Sequence, residues 1–251
     1  MELKDFFKLH PKAAIAFSGG VDSAYLLYAG ISCGAEIKAY YVNSQFQPEF
    51  ELRHAKRLAN ELNADMKVIE LDVLSSPEIC ANPADRCYHC KRHIMGAICA
   101  QAAADGYDVI LDGTNASDDA GDRPGMRALR ERGILSPLRD CGLTKPEIRR
   151  LSKEAGLFTW DKPAYACLAT RVPTGELITA DKLSRIELAE NRLFELGFTD
   201  FRVRLRGEGA LLQFTEGELP RAQMEFDEIE RRLRGLFDEL RLDSAGRAKT
   251  L

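Results

Sequence analysis

A short run of small polar residues has the composition of a phosphate-binding turn. Residues 18–23 read Ser-Gly-Gly-Val-Asp-Ser, directly after the apolar segment 13–17 and before a helical stretch at 24–29. Glycines let a backbone bend sharply and approach an oxyanion, and successive N–H groups at a helix start form an anion-binding nest. Ser18 and Ser23 would add hydroxyl donors, and Asp22 is a candidate magnesium ligand. The alternative is an ordinary serine-capped turn between a strand and a helix.

The cysteines provide a second candidate chemistry. Cys87 and Cys90 form a CxxC pair within the basic run at residues 86–91, and Cys167 lies in a proline-flanked segment rich in cations. Nearby cations and a helix N-terminus favour the thiolate, which is the nucleophilic and metal-binding form. The pair alone fits two metal ligands, a redox pair or a chance spacing. Because the sequence holds no second CxxC, we do not expect a closed zinc site. Cys167 is the candidate nucleophile.

An arginine-rich segment supplies a candidate anion site. Residues 201–206 alternate Phe-Arg-Val-Arg-Leu-Arg, so a strand there would place Arg202, Arg204 and Arg206 on one face and the apolar residues on the other. Guanidinium groups suit phosphate because their forked donors bind two oxygens at once. The alternative is a solvated strand face without a ligand.

Alternating strand-like and helix-like segments must position these residues. Strands are predicted at 13–17, 37–42, 66–71 and 109–112, and helices at 22–33, 49–62, 89–104 and 145–155. This alternation predicts an α/β fold with a parallel sheet covered by helices. Ligands of such sheets bind at the carboxyl ends of the strands. The run at 18–23, Asn43 and the polar run at 112–115 all follow strand ends, so a nucleotide site is expected there.

The character of the sequence changes near residue 161. A helix at 181–196, strands at 201–205 and 211–214, and a helix at 222–240 predict a small α+β unit. We therefore expect two domains, a nucleotide-binding domain at 1–160 and a second domain at 161–251.

Composition narrows the classes of partner. The 251 residues carry 35 Lys and Arg against 39 Asp and Glu, giving a net charge of −4. This balance argues against a large polyanionic partner such as tRNA, whose binding relies on many phosphate contacts. No apolar stretch approaches the length of a membrane span, and the first residues lack a signal-peptide core. We expect a cytoplasmic protein without a membrane partner, whose seven cysteines serve chemistry or metal binding rather than disulfides.

Together these motifs resemble the LarE family, PP-loop sulfur transferases of nickel-pincer nucleotide cofactor assembly. The resemblance runs from about residue 12 to 215 and rests on six motifs, which are 18–23, 86–91, 112–115, the acidic run from Asp118 and Asp119 to Asp122-Arg123-Pro124-Gly125, 136–139, and 160–171. The tail at 243–251 departs from the family pattern, which puts a ligand role for Arg247 in doubt.

The resemblance implies a PP-loop domain that splits ATP into AMP and pyrophosphate with Mg²⁺. The residues that it assigns to ATP are Ser18, Gly19, Gly20, Asp22, Ser23, Asn43, Gly113 and Thr114. The residues that it assigns to a small nucleotide substrate are Glu190, Arg202 and Arg204. Tyr88, as a stacking partner for a pyridinium ring, and Arg171 are further candidates for the substrate site. It also implies a homo-oligomer.

The resemblance leaves two sources of sulfur open. In one, Cys167 gives up its own sulfur and becomes dehydroalanine after one turnover. In the other, Cys87, Cys90 and Cys167 hold a [4Fe-4S] cluster whose open iron carries exogenous sulfide. Two other PP-loop activities remain alternatives: thiolation of tRNA, and amidation by a synthetase that needs no reactive cysteine.

Overall fold

The computed structural model describes residues 1–118 and 124–248. Asp119, Asp122, Arg123 and the last residues of the tail therefore lie outside the described residues. The chain divides into two compact units. The first unit comprises Met1–Val73 and Asp85–Lys162, and the second comprises Leu74–Ala84 and Pro163–Leu251.

A parallel four-stranded sheet forms the centre of the first unit. Its strands are β1 (Lys12–Ala16), β2 (Glu36–Asn43), β3 (Asp65–Glu70) and β4 (Ile110–Leu111), in the spatial order β3-β2-β1-β4. All three pairings are parallel, with Ala13 opposite Ile37 and Ala14 opposite Ile110. The predicted α/β class is confirmed.

Central strand β1 is short and apolar because helices cover it on both sides. Ala13, Ala14 and Ile15 are completely buried. Ala13 and Ile15 face one apolar core and Ala14 faces the other, as expected for neighbouring residues of a strand.

The helices of the first unit precede, connect and follow these strands along the chain. They are α1 (Leu3–Leu9), α2 (Val21–Ser32), α3 (Glu49–Glu61), α5 (Arg86–Ala104), α6 (Pro124–Arg130), α7 (Pro137–Asp140) and α8 (Lys145–Glu154). Helix α5 begins three residues before the predicted start, so its first turns contain the CxxC pair. Helix α8 begins with a capping box, in which Thr144 and Glu147 satisfy each other's backbone N–H groups.

The second unit packs helices on a three-stranded sheet. Its elements are α4 (Pro77–Cys80), α9 (Ala180–Glu195), β5 (Phe201–Arg206), β6 (Gly209–Phe214), α10 (Leu219–Met224), α11 (Phe226–Leu233) and β7 (Leu240–Leu242). Strands β5 and β6 pair antiparallel, and β7 joins β6 in parallel. The core joins Leu193 of α9 to Phe201 and Val203 of β5 and to Ile229 of α11.

The helix predicted at 222–240 is wrong. The chain forms α10 and α11 around a break at Glu225, and strand β7 follows. Gly235 has φ +81, a conformation that a continuing right-handed helix does not contain.

The segment at 74–84 lies with the second unit, although it falls within the predicted first domain. Asn82 donates its amide to the carbonyls of Val172 and Pro173, at 3.3 and 2.7 Å. Independent folding of domains 1–160 and 161–251 stays a prediction. Within the described residues, none of the helices combines the length and apolar character needed to cross a membrane.

Candidate active site

The turn at residues 18–23 connects β1 to α2 and is closed by its own hydroxyl groups. The Ser18 N–H donates to Ser23 Oγ at 3.2 Å, and the Ser23 hydroxyl donates to the Gly20 carbonyl at 3.2 Å. Ser23 is only 3% exposed, whereas Ser18 is exposed. Ser23 therefore holds the turn in shape, and Ser18 is the hydroxyl that faces solvent.

Gly19 gives the turn its sharp bend. Its backbone angle φ of +71 is one that residues with a side chain rarely adopt. A Cβ at this position would lie 3.3 Å from the Ala55 Cβ on helix α3. Helix α2 begins two residues later, so its first N–H groups border the turn. This arrangement can bind an anion.

The Asp22 carboxylate is already paired in this structure. Lys145 Nζ lies 2.5 Å from one carboxylate oxygen, and Asn115 Nδ2 donates to the other at 3.3 Å. Burial raises the pKa of Asp22, although the Lys145 ammonium opposes that rise. A carboxylate oxygen is a ligand type that Mg²⁺ prefers. Magnesium binding by Asp22 stays a prediction.

The other predicted ATP residues lie at strand ends of the same sheet. Gly113 follows β4, and a Cβ there would lie 2.9 Å from the backbone nitrogen of Ser23, so only glycine lets the two segments approach. Thr114 donates its hydroxyl to Asp112 at 2.5 Å. Their contact with ATP stays a prediction.

A cavity opens at the carboxyl ends of β2 and β3. Its volume is about 550 Å³, and Asn43, Gln45, Glu70 and Asp72 contribute to its lining. Asn43 donates its amide to Glu70 at 2.8 Å. The volume falls in the range of small-molecule sites, and adenosine binding beside Asn43 stays a prediction.

The CxxC cysteines lie one helical turn apart at the start of α5. Cys87 is exposed, Cys90 is half-buried, and neither is part of a disulfide. The Arg86 guanidinium lies 4.0 Å from the Cys87 sulfur. Across 1–118 and 124–248, no three His, Cys, Asp or Glu side chains are assembled as metal ligands.

Tyr88 is engaged on both its ring and its hydroxyl. The Arg127 guanidinium carbon lies 3.8 Å from the ring centroid, and the hydroxyl donates to Glu131 at 2.9 Å. A pyridinium ring would therefore have to stack on the other face of Tyr88 or displace Arg127. Stacking stays a prediction.

In the second unit, Arg171 and Glu190 contact each other. The guanidinium binds the carboxylate at 2.8 and 3.3 Å, and the side chains are 0% and 2% exposed. The Val203 N–H donates to Glu190 at 3.0 Å, and the Tyr165 hydroxyl donates to the same carboxylate. Burial and then Glu190 raise the pKa of Tyr165, which keeps its proton on oxygen. Arg171 and Glu190 are thus buried and hydrogen-bonded to neighbouring segments of the second unit. Their contact with a substrate stays a prediction.

The arginines of β5 are held by backbone and side-chain acceptors. Arg202 donates to the carbonyls of Phe201 and Ala164, at 2.6 and 2.5 Å. Arg204 donates to Gln213 at 2.5 Å and to the Thr170 carbonyl at 2.9 Å. The alternation of β5 is confirmed, but Arg202 is 6% exposed rather than solvated, and only Arg206 is exposed.

A tail arginine adds to this positive charge. Arg247 contacts Asp200 through its guanidinium, and its backbone N–H donates to the Phe214 carbonyl at 2.8 Å. Burial, followed by Arg171 and Arg247, lowers the pKa of Arg202 to about 10. Positive charge therefore concentrates here, which suits an anionic ligand.

Cys167 precedes a short 3₁₀ turn at Leu168–Arg171. It is half-buried and is not part of a disulfide. Its carbonyl accepts from the Thr170 N–H at 3.0 Å, and the Arg171 guanidinium donates to the neighbouring Ala166 carbonyl at 3.1 Å. Arg171 therefore fixes the backbone next to Cys167, while its charge is paired with Glu190.

The sequence analysis missed several residues that shape these sites. Lys145 and Asn115 hold Asp22, and Lys162 pairs with Glu51 at 2.5 Å behind the turn. Lys162 lies within the 160–171 motif, which was the one available signal for it. Asn115 ends the 112–115 motif, whereas Lys145 and Glu51 lie outside every motif.

Comparisons with known proteins agree with this geometry. The family model described as "Queuosine biosynthesis protein QueC" matches residues 12–83. The uncharacterized protein slr1717 of Synechocystis sp. is 38% identical over 80% of this chain and 76% of its own length. The pyridinium-3,5-bisthiocarboxylic acid mononucleotide synthase of Lactiplantibacillus plantarum is 32% identical over 94% of this chain and 86% of its own. The tRNA-specific 2-thiouridylase MnmA of Thermotoga sp. is 24% identical over 72% of this chain and 62% of its own.

Proposed function

We propose that this chain, which belongs to the LarE family of ATP-dependent PP-loop sulfur transferases, converts a carboxylate of pyridinium-3,5-biscarboxylic acid mononucleotide into a thiocarboxylate. The observation that carries the proposal is the turn at 18–23, closed by Ser23 and bordered by Asp22 and Gly113 at the carboxyl edge of the parallel sheet. The likeness to a synthase of the bisthiocarboxylic product, over 94% of this chain, supports the substrate.

In the first step, a substrate carboxylate oxygen attacks the α-phosphorus of ATP, and pyrophosphate leaves. The resulting acyl-adenylate carries AMP as a good leaving group. The N–H groups at Gly19 and Gly20 and the Ser18 hydroxyl would bind the departing phosphates. Ser18 is exposed and Gly20 is half-buried, whereas Gly19 is buried. Asp22 would hold Mg²⁺, which supplies charge neutralisation to the phosphates when bound.

In the second step, the Cys167 thiolate attacks the acyl carbon, and AMP leaves. The thioester then loses a proton from the Cys167 Cα while its Cβ–S bond breaks. The sulfur stays with the product as a thiocarboxylate, and dehydroalanine remains at position 167. Arg171 contributes by holding the backbone before Cys167, through a hydrogen bond of 3.1 Å to the Ala166 carbonyl.

A second sulfur source is favoured by one observation, the placement of both CxxC cysteines in the first turns of α5. Three thiolates are a suitable donor set for a [4Fe-4S] cluster, and Cys87, Cys90 and Cys167 would hold it. When bound, such a cluster supplies an open iron that carries sulfide. The cysteine chemistry fits, although the described residues contain no assembled group of three ligands.

The mononucleotide phosphate requires cations in the second unit. Two carboxylates lie among four arginines of this unit. Arg171 pairs with Glu190, and both Arg202 and Arg247 pair with Asp200. Arg204 lies near Arg171 and Arg247. Arg202 and Arg204 are the proposed phosphate ligands, since Glu190 already neutralises Arg171. Cytoplasmic location and assembly into a homo-oligomer stay predictions.

Product analysis tests this function. The purified chain is mixed with ATP and the biscarboxylate mononucleotide, and AMP, pyrophosphate and thiocarboxylate are measured. AMP formation that requires the mononucleotide, with matching thiocarboxylate, supports the proposal. AMP formation that requires tRNA instead would support the thiouridylase alternative. Amide formation from ammonia by a Cys167→Ala variant would support an amidating synthetase.

A further inference from the structure

A buried ion pair lies directly behind the turn at 18–23. Lys162 Nζ and the Glu51 carboxylate are 2.5 Å apart, with side chains 12% and 11% exposed. The same Lys162 Nζ donates to the Gly19 carbonyl at 3.2 Å. We infer that Lys162 is a positioning residue for ATP binding, because it fixes the peptide plane between Gly19 and Gly20. The inference rests on the proposed function, in which the turn binds the phosphates.

The geometry of the peptide bond links Lys162 to the phosphate side. The described peptides contain no cis bond, so the Gly19 carbonyl and the Gly20 N–H point in opposite directions. Lys162 holds the carbonyl on the buried side. The Gly20 N–H therefore points to the other side, where Ser18 Oγ lies 3.4 Å away. Fixing one end of this plane aims the donor at the other end.

A peptide plane flanked by two glycines needs such a restraint. Gly19 has φ +71, and glycine moves among backbone conformations more readily than other residues. Ala55 of α3 lies next to the Gly19 Cα, at the place that a side chain of residue 19 would occupy. Glu51 lies one helical turn before Ala55 on the same helix. Helix α3 thus supports the turn through both contacts.

Lys162 is itself fixed by its backbone. Arg149 of helix α8 donates to the carbonyls of Trp160 and Lys162, at 2.7 and 2.9 Å. Arg149 therefore holds the backbone of Lys162, and Glu51 holds the ammonium group at the end of its side chain. A donor held in this way loses little conformational entropy when it binds the Gly19 carbonyl.

The contrasting explanation is that Lys162 only neutralises Glu51. Burial raises the pKa of Glu51, and Lys162 counteracts that rise. Removing one partner of a buried pair destabilises a protein strongly, whereas replacing both by apolar residues of similar size is often tolerated. A double variant therefore separates the two roles.

We would measure the binding of α,β-methylene-ATP with Mg²⁺ by calorimetry and the thermal midpoint for five proteins. These are wild type, Ser18→Ala, Lys162→Met, Glu51→Met/Lys162→Met and, as a matched control, Lys38→Met. Lys38 pairs with Asp65 and Asp105 and is 19% exposed. It lies near the start of β2, away from the strand end that carries Asn43.

The inference predicts that Lys162→Met weakens nucleotide binding about tenfold, the equivalent of one hydrogen bond from a charged group. Lys38→Met should lower the midpoint but keep the dissociation constant within about twofold of wild type. The double variant should regain much of the midpoint and keep the weakened binding. The inference is overturned if the double variant binds nucleotide as tightly as wild type.

The remaining outcomes are also decisive. If the double variant does not fold, equal dissociation constants for Lys162→Met and Lys38→Met overturn the inference, and a tenfold difference supports it. Failure of the proposed function looks different: wild type would not bind the nucleotide, or Ser18→Ala would bind as well as wild type.

Discussion

Arg171 and Glu190 form a bidentate ion pair that is sealed inside the second unit, with guanidinium-to-carboxylate distances of 2.8 and 3.3 Å. The carboxylate also accepts from the backbone of Val203 and from the Tyr165 hydroxyl. One carboxylate thus joins helix α9, strand β5 and the segment that carries Cys167. The pair gives the cysteine segment a rigid support.

Loss of this carboxylate should destabilise the protein. Glu190→Gln leaves a buried guanidinium without its counter-charge, and we expect a loss of about 3–5 kcal/mol in the free energy of unfolding. Urea denaturation followed by circular dichroism measures it. Glu195→Gln on the same helix is the control, because Glu195 is 63% exposed and should cost less than about 1 kcal/mol. Equal losses in the free energy of unfolding would show that the buried pair of Arg171 and Glu190 stabilises the fold no more than an exposed pair does.

A methyl group at Gly113 should disturb the start of α2. In Gly113→Ala, the new Cβ would lie 2.9 Å from the Ser23 nitrogen, so backbone must move. We expect a loss of about 1–3 kcal/mol and weaker binding of ATP, measured by calorimetry. Gly217→Ala is the control, because its Cβ would meet nothing within 4 Å. Unchanged ATP binding in Gly113→Ala would show that the segment after strand β4 does not contribute to the nucleotide site.

Asp105 should make the first unit sensitive to acid. Hydrogen bonds from Tyr40 and then Lys67, together with Lys38, lower the pKa of Asp105 to about 2. Because the folded state binds this proton less tightly than the unfolded state, Asp105 stabilises the fold above its ordinary pKa of 3.8 and loses that effect as the pH falls towards about 2.

Thermal melts from pH 5 to pH 2.5 test this dependence. Asp105→Asn should show a lower midpoint at pH 5 and a smaller further decrease on acidification than wild type. Asp108→Asn, at an exposed position, should follow the wild-type profile. A variant Asp105→Asn that loses stability as steeply as wild type would place the acid sensitivity elsewhere.

Removal of the Cys167 sulfur should separate the two half-reactions. Cys167→Ala keeps the turn at 18–23, so it should still form AMP-ester and pyrophosphate in one turnover, while thiocarboxylate decreases about 10³-fold or more. Pyrophosphate release and product mass measure the two steps. Cys33→Ala alters an exposed cysteine at the end of α2 and should leave both steps intact. Normal thiocarboxylate from Cys167→Ala would exclude this residue as nucleophile.

The sheet and the turn were predictable from local pattern. Apolar segments such as the one that became β1, each followed by glycine or polar residues, indicate buried parallel strands because helices cover both faces. The role of each serine was not predictable, since Ser18 and Ser23 have the same hydroxyl. Only the closed geometry shows that Ser23 bonds within the turn.

The ion pairs behind the site were beyond sequence reasoning. Lys145 reaches Asp22 across 123 positions, and Lys162 reaches Glu51 across 111. Such contacts form when distant elements pack, so no local spacing marks them. The arginines of β5 show the same limit. Their alternation was predicted correctly, but the carbonyl acceptors that bury Arg202 lie partly in another segment.

The mass of Cys167 after turnover tests most sharply whether its side chain supplies the sulfur of the product. The protein is purified without oxygen, assayed for iron and labile sulfide, and incubated with ATP and the biscarboxylate mononucleotide, and the peptide containing Cys167 is weighed. Our account predicts that one thiocarboxylate forms for each Cys167 that loses the mass of hydrogen sulfide. Repeated formation of thiocarboxylate with Cys167 unchanged, in a protein that carries iron and labile sulfide, would contradict it and favour the cluster as the sulfur source.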